Sequence, residues 1–111
     1  QLPLKDIEIL FLGCTYKPDV DDLRESPALT IINKVAGIFK RVYVCEPMVE
    51  AYTLKKYIEG VELVELEKLS RMKGNKVLVP LVPHSIFGKE YGEILSQFKF
   101  IYDPYKTIQK D

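Results

Sequence analysis

Four short apolar runs separated by stretches of helical character constrain this chain more than anything else in it: Ile7–Leu12, Val42–Cys45, Val77–Val82 and Phe100–Tyr102. The first alternates poorly and is nearly continuous, as expected of a central strand covered on both faces. After it, Ser26-Pro27 opens a helix, since serine caps a free backbone N–H and proline at the first helical position lacks only a donor that would go unpaired. Leu29, Ile32, Val35, Ala36 and Phe39 then share one face, so this helix is expected to run to about Phe39 and to pack on the sheet. Glu46-Pro47 stops the second strand. A helix over Val49–Ile58, a short strand over Val61–Val64, a short helix over Leu66–Met72 and a long helix over Ser85–Phe98 complete the reading. Pro80 belongs near a strand end or a bulge, because it has no donor for the ladder. Strand and helix signals alternating at this spacing predict a single α/β domain, a Rossmann-like three-layer sandwich with a mainly parallel sheet and right-handed crossovers.

The connection from Gly13 to Pro27, between the first strand and the first helix, is longer than the ~2–6 residues that suffice in such folds. It carries Lys17 and Arg24 among Asp19, Asp21, Asp22 and Glu25. Ligands of open α/β sheets bind beyond the carboxyl ends of the strands, where this loop leaves. It is therefore the candidate site. The dinucleotide fingerprint is missing: Gly13 stands alone, and Glu46 lies about thirty residues on where about twenty is usual for a ribose ligand. Glu46 reads instead as a structural carboxylate capping a helix or turn.

Charge narrows the partners. Lysine plus arginine balances aspartate plus glutamate at 16 each, so no net field attracts nucleic acid or an anionic membrane. No run approaches the roughly 20 apolar residues needed to span a bilayer, and the opening residues carry no apolar signal core, so the expectation is a soluble, cytoplasmic protein. Cys14 and Cys45 end two strands that could be sheet neighbours; a bridge is conceivable, but reduced buried thiols are the expected state in that compartment. No cluster has metal-ligand spacing.

Residues 12–29, with the block Gly-Cys-Thr-Tyr-Lys-Pro-Asp-Val-Asp-Asp-Leu-Arg-Glu-Ser-Pro, resemble the signature of the C-terminal, UDP-binding domain of the UDP-glucose/GDP-mannose dehydrogenases. The second strand ending in Glu46-Pro47, where the family usually has Asp-Pro, also fits, and the resemblance covers essentially the whole chain. Leu81-Val82-Pro83-His84-Ser85-Ile86-Phe87 looks more like the UDP-N-acetylhexosamine branch, notably the UDP-N-acetylmannosamine dehydrogenases, than the UDP-glucose branch. The resemblance implies an NAD-dependent enzyme that oxidises the C6 alcohol of a UDP-sugar to a uronate, of the kind used in polysaccharide biosynthesis. It further implies that residues 1–111 are its UDP-sugar-binding C-terminal domain. The N-terminal NAD-binding domain and the central domain with the reactive cysteine are absent from this chain, and the isolated domain is expected to be inactive.

Residue by residue, the resemblance assigns Lys17 to the substrate, Tyr16 to the pocket wall beside it, and Arg24 to NAD held mainly by the absent N-terminal domain. On its chemistry alone, Arg24 could equally form an ion pair with Asp21, Asp22 or Glu25. Asp22 and Glu25 are read as shaping the loop and orienting Arg24 rather than as an acid/base pair. Cys14 does not match the family's nucleophile, so no catalytic residue is assigned here. His84 is read as a strand-end residue shaping a wall of the site. Many members carry an arginine just after the final Asp; here the run is Asp103-Pro104-Tyr105-Lys106, and Lys106 is the candidate substitute. The expected partners are a UDP-sugar and the rest of the same polypeptide, in a full-length homo-oligomer. The alternatives are a UDP-glucose or UDP-N-acetylglucosamine 6-dehydrogenase domain, or a non-catalytic nucleotide-binding module.

Overall fold

The computed structural model describes residues 3–108. Five parallel strands form one sheet: β1 (Glu8–Leu12), β2 (Arg41–Cys45), β3 (Glu62–Leu63), β4 (Val77–Pro80) and β5 (Phe100–Ile101), in the order β3-β2-β1-β4-β5. β1 is central, as its apolar continuity predicts. Leu12 is opposite Cys45 on one side and Pro80 on the other. Pro80 closes its strand, and the N–H groups of Leu81 and Val82 both donate to Leu12 O, at 2.8 and 3.2 Å, so the pairing passes over the missing donor.

The period-2 alternation of β1 splits the core in two. Ile9 and Phe11 face one side, with Val42, Val44, Leu29, Ile32, Leu54 and Ile58. That layer is covered by α1 (Pro27–Val35) and α2 (Ala51–Leu54). Leu10 and Leu12 face the other, with Tyr43, Leu69, Leu78, Phe87, Leu95 and Ile108, under the 3-10 turn Leu66–Arg71, α3 (Ser85–Lys89) and α4 (Gly92–Leu95). Burying ten or so large side chains on each face, at about 1.5–3 kcal/mol apiece, is the main stabilising term.

The helices are shorter than their periodicity predicts. α1 stops at Val35, and the N–H of Ile38 donates back to Val35 O at 2.9 Å in a tighter turn. α2 likewise gives way after Leu54 to turns in which Lys56 and Tyr57 donate to Thr53 and Leu54. Leu66–Arg71 is 3-10 rather than α. The long helix expected over 85–98 is two helices, broken where the N–H groups of Glu90 and Tyr91 converge on Ile86 O. Gly88 and Gly92 weaken helix there, and Gly88 is required by packing, because a Cβ on it would lie 2.7 Å from Thr107 O. The tail turns back over α3 at that point, held by Asp103, whose carboxylate accepts the N–H groups of Thr107 and Ile108 at 2.9 Å each.

Candidate functional site

β1 connects to α1 on one face and β4 connects to α3 on the other, so their carboxyl ends flank the place where the chain direction switches. In this chain the two connections touch. Gly13, at φ +86, comes so close to the loop after β4 that a Cβ would lie 2.6 Å from Val82 O and 2.8 Å from Val82 Cβ. The crevice is closed at its base, and the exposed part of the loop lies further out.

A buried polar group fastens the two connections together. Glu46, at the end of β2, has a fully buried carboxylate. Its Oε1 accepts the N–H groups of Cys14 (2.7 Å) and Thr15 (3.2 Å), and its Oε2 accepts that of Met48 (2.8 Å). The capping role read from sequence is therefore met by two loops at once. His84 Nε2 lies 2.9 Å from the same Oε1. His84 Nδ1 accepts the backbone N–H of Asp19 at 2.8 Å. A backbone N–H can only donate, so Nδ1 is bare, and the ring proton sits on Nε2, directed at Glu46. The structure puts His84, read from sequence as shaping a wall of the site, beneath the surface: both ring nitrogens have partners inside, and the side chain is completely covered.

Asp19 completes the fastening. Its carboxylate accepts the Ser85 hydroxyl at 2.6 Å and the Ser85 N–H at 2.8 Å, so it caps α3 from 66 residues away. The Ser85 hydroxyl, then the Ser85 N–H, hold the Asp19 carboxyl below the usual carboxylate range. Asp19 takes a left-handed backbone, φ 63, which a non-glycine residue adopts only when its surroundings hold it there.

Between these anchored points the loop presents Tyr16 and Lys17 to solvent. The Tyr16 N–H donates to Asp22 O at 2.7 Å, and the Thr15 hydroxyl donates to Lys17 O at 2.8 Å, so the backbone is fixed while both side chains project. Among the described residues Lys17 makes no ion pair. Arg24, with 82% of its side chain exposed, forks onto Asp22: Nε to Oδ1 at 3.0 Å and a terminal nitrogen to Oδ2 at 3.1 Å. That fork, then the Arg24 N–H, lowers the Asp22 carboxyl, and the same contact raises the guanidinium. Of the acids named as partners it is Asp22 that pairs. Glu25 acts through its backbone, where a left-handed φ of 55 swings the chain into Ser26. The Ser26 hydroxyl donates to Cys14 O at 2.7 Å and accepts the Leu29 N–H at 3.3 Å, starting α1.

Lys106 follows β5 at the same end of the sheet, exposed and left-handed at φ 55. Cys14 and Cys45 are free and buried, and they belong to core layers on opposite faces of the sheet, which leaves them badly placed to bridge. Burial first, and the nearby Glu46 carboxylate second, push the Cys14 thiol far up and that of Cys45 to about 12. Neither is a nucleophile at neutral pH. Among the described residues no group of acids, histidines and cysteines could hold a metal, and no helix is long and apolar enough to cross a membrane.

The approach of Gly13 to Val82 and the Glu46–His84 pair fill the base of this crevice, just beyond the end of β1. What remains is an exposed aromatic, an ammonium with no ion pair among the described residues and an exposed guanidinium on one loop, a set suited to the phosphates and sugar of a nucleotide held from outside.

Comparison with known proteins agrees. The profile of the UDP-glucose/GDP-mannose dehydrogenase family, UDP binding domain, matches residues 10–110. The chain belongs to that family and is its UDP binding domain. It is 38% identical over 98 residues to a UDP-N-acetyl-D-mannosamine dehydrogenase of Campylobacter jejuni, an alignment covering 84% of this chain and 23% of that protein. It is 39% identical over 87 residues to an NDP-N-acetyl-D-galactosaminuronic acid dehydrogenase of Ralstonia solanacearum, covering 77% of this chain and 19% of the relative. The structure of a UDP-D-ManNAc dehydrogenase from Pyrococcus horikoshii has the same fold, with a TM-score of 0.69 at 24% identity over 99% of this chain and 24% of the other. The chain thus spans about a fifth of the length of the curated relatives it matches.

Proposed function

We propose that this chain is the C-terminal, substrate-holding domain of an NAD-dependent UDP-N-acetylmannosamine-type 6-dehydrogenase, which oxidises the C6 alcohol of the sugar to a uronate for polysaccharide biosynthesis. The observation that carries the reading is Lys17: exposed, without an ion-pair partner among the described residues, and fixed in backbone position at the carboxyl end of the central strand. A compact ammonium there suits the phosphate or sugar oxygens, with Tyr16 beside it as an apolar wall. On this reading Arg24, exposed beside Asp22, contacts NAD held by another domain of the same polypeptide. Lys106 is a further candidate for the phosphate end. NAD and the reactive cysteine belong, on this reading, to domains outside this chain, in a cytoplasmic homo-oligomer.

Steady-state kinetics of the full-length enzyme test it. Lys17→Ala removes charge-assisted hydrogen bonds worth ~1.5–3 kcal/mol each, which corresponds to a fall of roughly ten- to hundredfold in kcat/KM. Lys17→Arg does not restore it, since a planar fork cannot replace a point donor in a confined site. The substrate is UDP-N-acetylmannosamine, with UDP-glucose as comparison. Undiminished efficiency in the alanine variant would reduce Lys17 to a solvated loop lysine. NADH production by the 111-residue chain alone would contradict the division of labour.

A further inference from the structure

We propose that His84 is a positioning residue for Lys17, coupling the buried Glu46 anchor to the substrate-facing loop through the backbone N–H of Asp19. The inference rests on the reading of Lys17 as a substrate contact.

Lys17 lies between two residues tied to the same buried pair. On its amino side, the Thr15 N–H donates to Glu46 Oε1 at 3.2 Å, and the Thr15 hydroxyl holds Lys17 O at 2.8 Å. On its carboxyl side, Asp19 N–H donates to His84 Nδ1 at 2.8 Å, and His84 Nε2 is 2.9 Å from that Oε1. Pro18 restricts the backbone of Lys17 in between. One carboxylate oxygen thus sets both ends of the short arch that carries the ammonium. Asp19 would not hold φ 63 unaided, and the bonds that keep it there are the one to His84 and the two from Ser85. The imidazole itself is wholly covered and touches no ligand surface, so any effect on binding passes through the loop.

The two ring nitrogens have separate tasks, and two amides divide them. Asparagine places its oxygen near the position of Nδ1 and can still accept from Asp19. Glutamine places its amide nitrogen near that of Nε2 and can still donate to Glu46. If His84 positions the loop, His84→Asn keeps much of the affinity for UDP, and His84→Gln loses it although it retains the contact with Glu46.

The experiment is a double-mutant cycle in the full-length enzyme, with UDP as the titrated probe and its dissociation constant read by calorimetry. We expect His84→Gln to weaken UDP binding roughly tenfold when Lys17 is present and by less than about threefold in the Lys17→Ala background, a coupling in the ordinary range for residues sharing one network. Should His84→Gln not fold, the cycle is run with His84→Asn, which keeps the acceptor for the Asp19 N–H and is expected to leave UDP binding within about threefold of wild type in both backgrounds. Equal losses in both backgrounds, or wild-type affinity in His84→Gln with a loss in His84→Asn, overturn the proposal while leaving Lys17 as a contact. Unchanged UDP affinity in Lys17→Ala alone overturns this inference, and an undiminished kcat/KM in the same variant overturns the reading of Lys17 with it.

Discussion

His84 Nε2 lies 2.9 Å from Glu46 Oε1 with neither side chain exposed, and the two residues follow strands, β4 and β2, that do not pair with each other. β1 runs between them, so the pair bridges over its end and gathers the Gly13–Ser26 loop beneath it. A buried carboxylate is tolerable only when its oxygens are fully occupied, and here three backbone N–H groups and an imidazole occupy them.

Removing that carboxylate is therefore expected to be expensive. Glu46→Ala strands the donors of Cys14, Thr15, Met48 and His84 and should destabilise the domain by about 3–5 kcal/mol. Urea unfolding would show it as a lower midpoint at constant slope. A loss under about 1 kcal/mol would mean that water reaches those donors freely.

Three glycines should respond in three ways. Gly13→Ala combines a positive φ with a 2.6 Å overlap on Val82 O, and should cost at least about 3 kcal/mol. Gly88→Ala, whose Cβ would sit 2.7 Å from Thr107 O, should cost about 1–3 kcal/mol by lifting the tail off α3. Gly37→Ala meets nothing within 4 Å and has no positive φ, and should raise stability by about 0.4–1 kcal/mol. Thermal melts of the three variants check the order.

Arg24 separates cofactor from substrate. Its exposed pair with Asp22 contributes little to folding, so Arg24→Ala should leave domain stability essentially unchanged. In the full-length enzyme it should raise the KM for NAD far more than that for the UDP-sugar. Equal rises would show that the guanidinium does not discriminate between the two ligands.

Acid should loosen the loop through Asp19. Its carboxyl is depressed in the folded state relative to about 3.9 unfolded. Below that value the unfolded chain binds the proton first, so the stabilisation is complete above about pH 4 and disappears as pH falls through the folded value. Asp22 shifts in the same direction. Asp19→Asn keeps an acceptor for Ser85 and tolerates the left-handed backbone. Its stability should decline less steeply than wild type as pH falls below about 4. Parallel curves would remove Asp19 from the acid response.

The strands were legible because apolar continuity reports burial on both faces, and Ser26-Pro27 located the start of α1 because capping chemistry is local. The helix lengths were not. The break near Glu90 answers to a tail that packs on Gly88 from 19 residues downstream, and no helical periodicity contains that information. At the site, the exposed loop residues could be read because their order along the chain is itself the motif. Glu46 could be recognised as a cap but not for which loop. His84 and Asp19 were out of reach as a pair, since their contact spans 65 residues and depends on which strand lies beside which.

The contact of Gly13 with Val82 makes two distant stretches of sequence a single heritable unit. A graft of residues 13–27 onto another parallel-sheet scaffold would arrive without the surface it rests on, unless residues 81–85 and an acid at the end of the neighbouring strand travelled with it. Divergence of ligand preference within such domains is then expected to proceed by paired substitutions on both stretches, with the glycine as the fixed point between them.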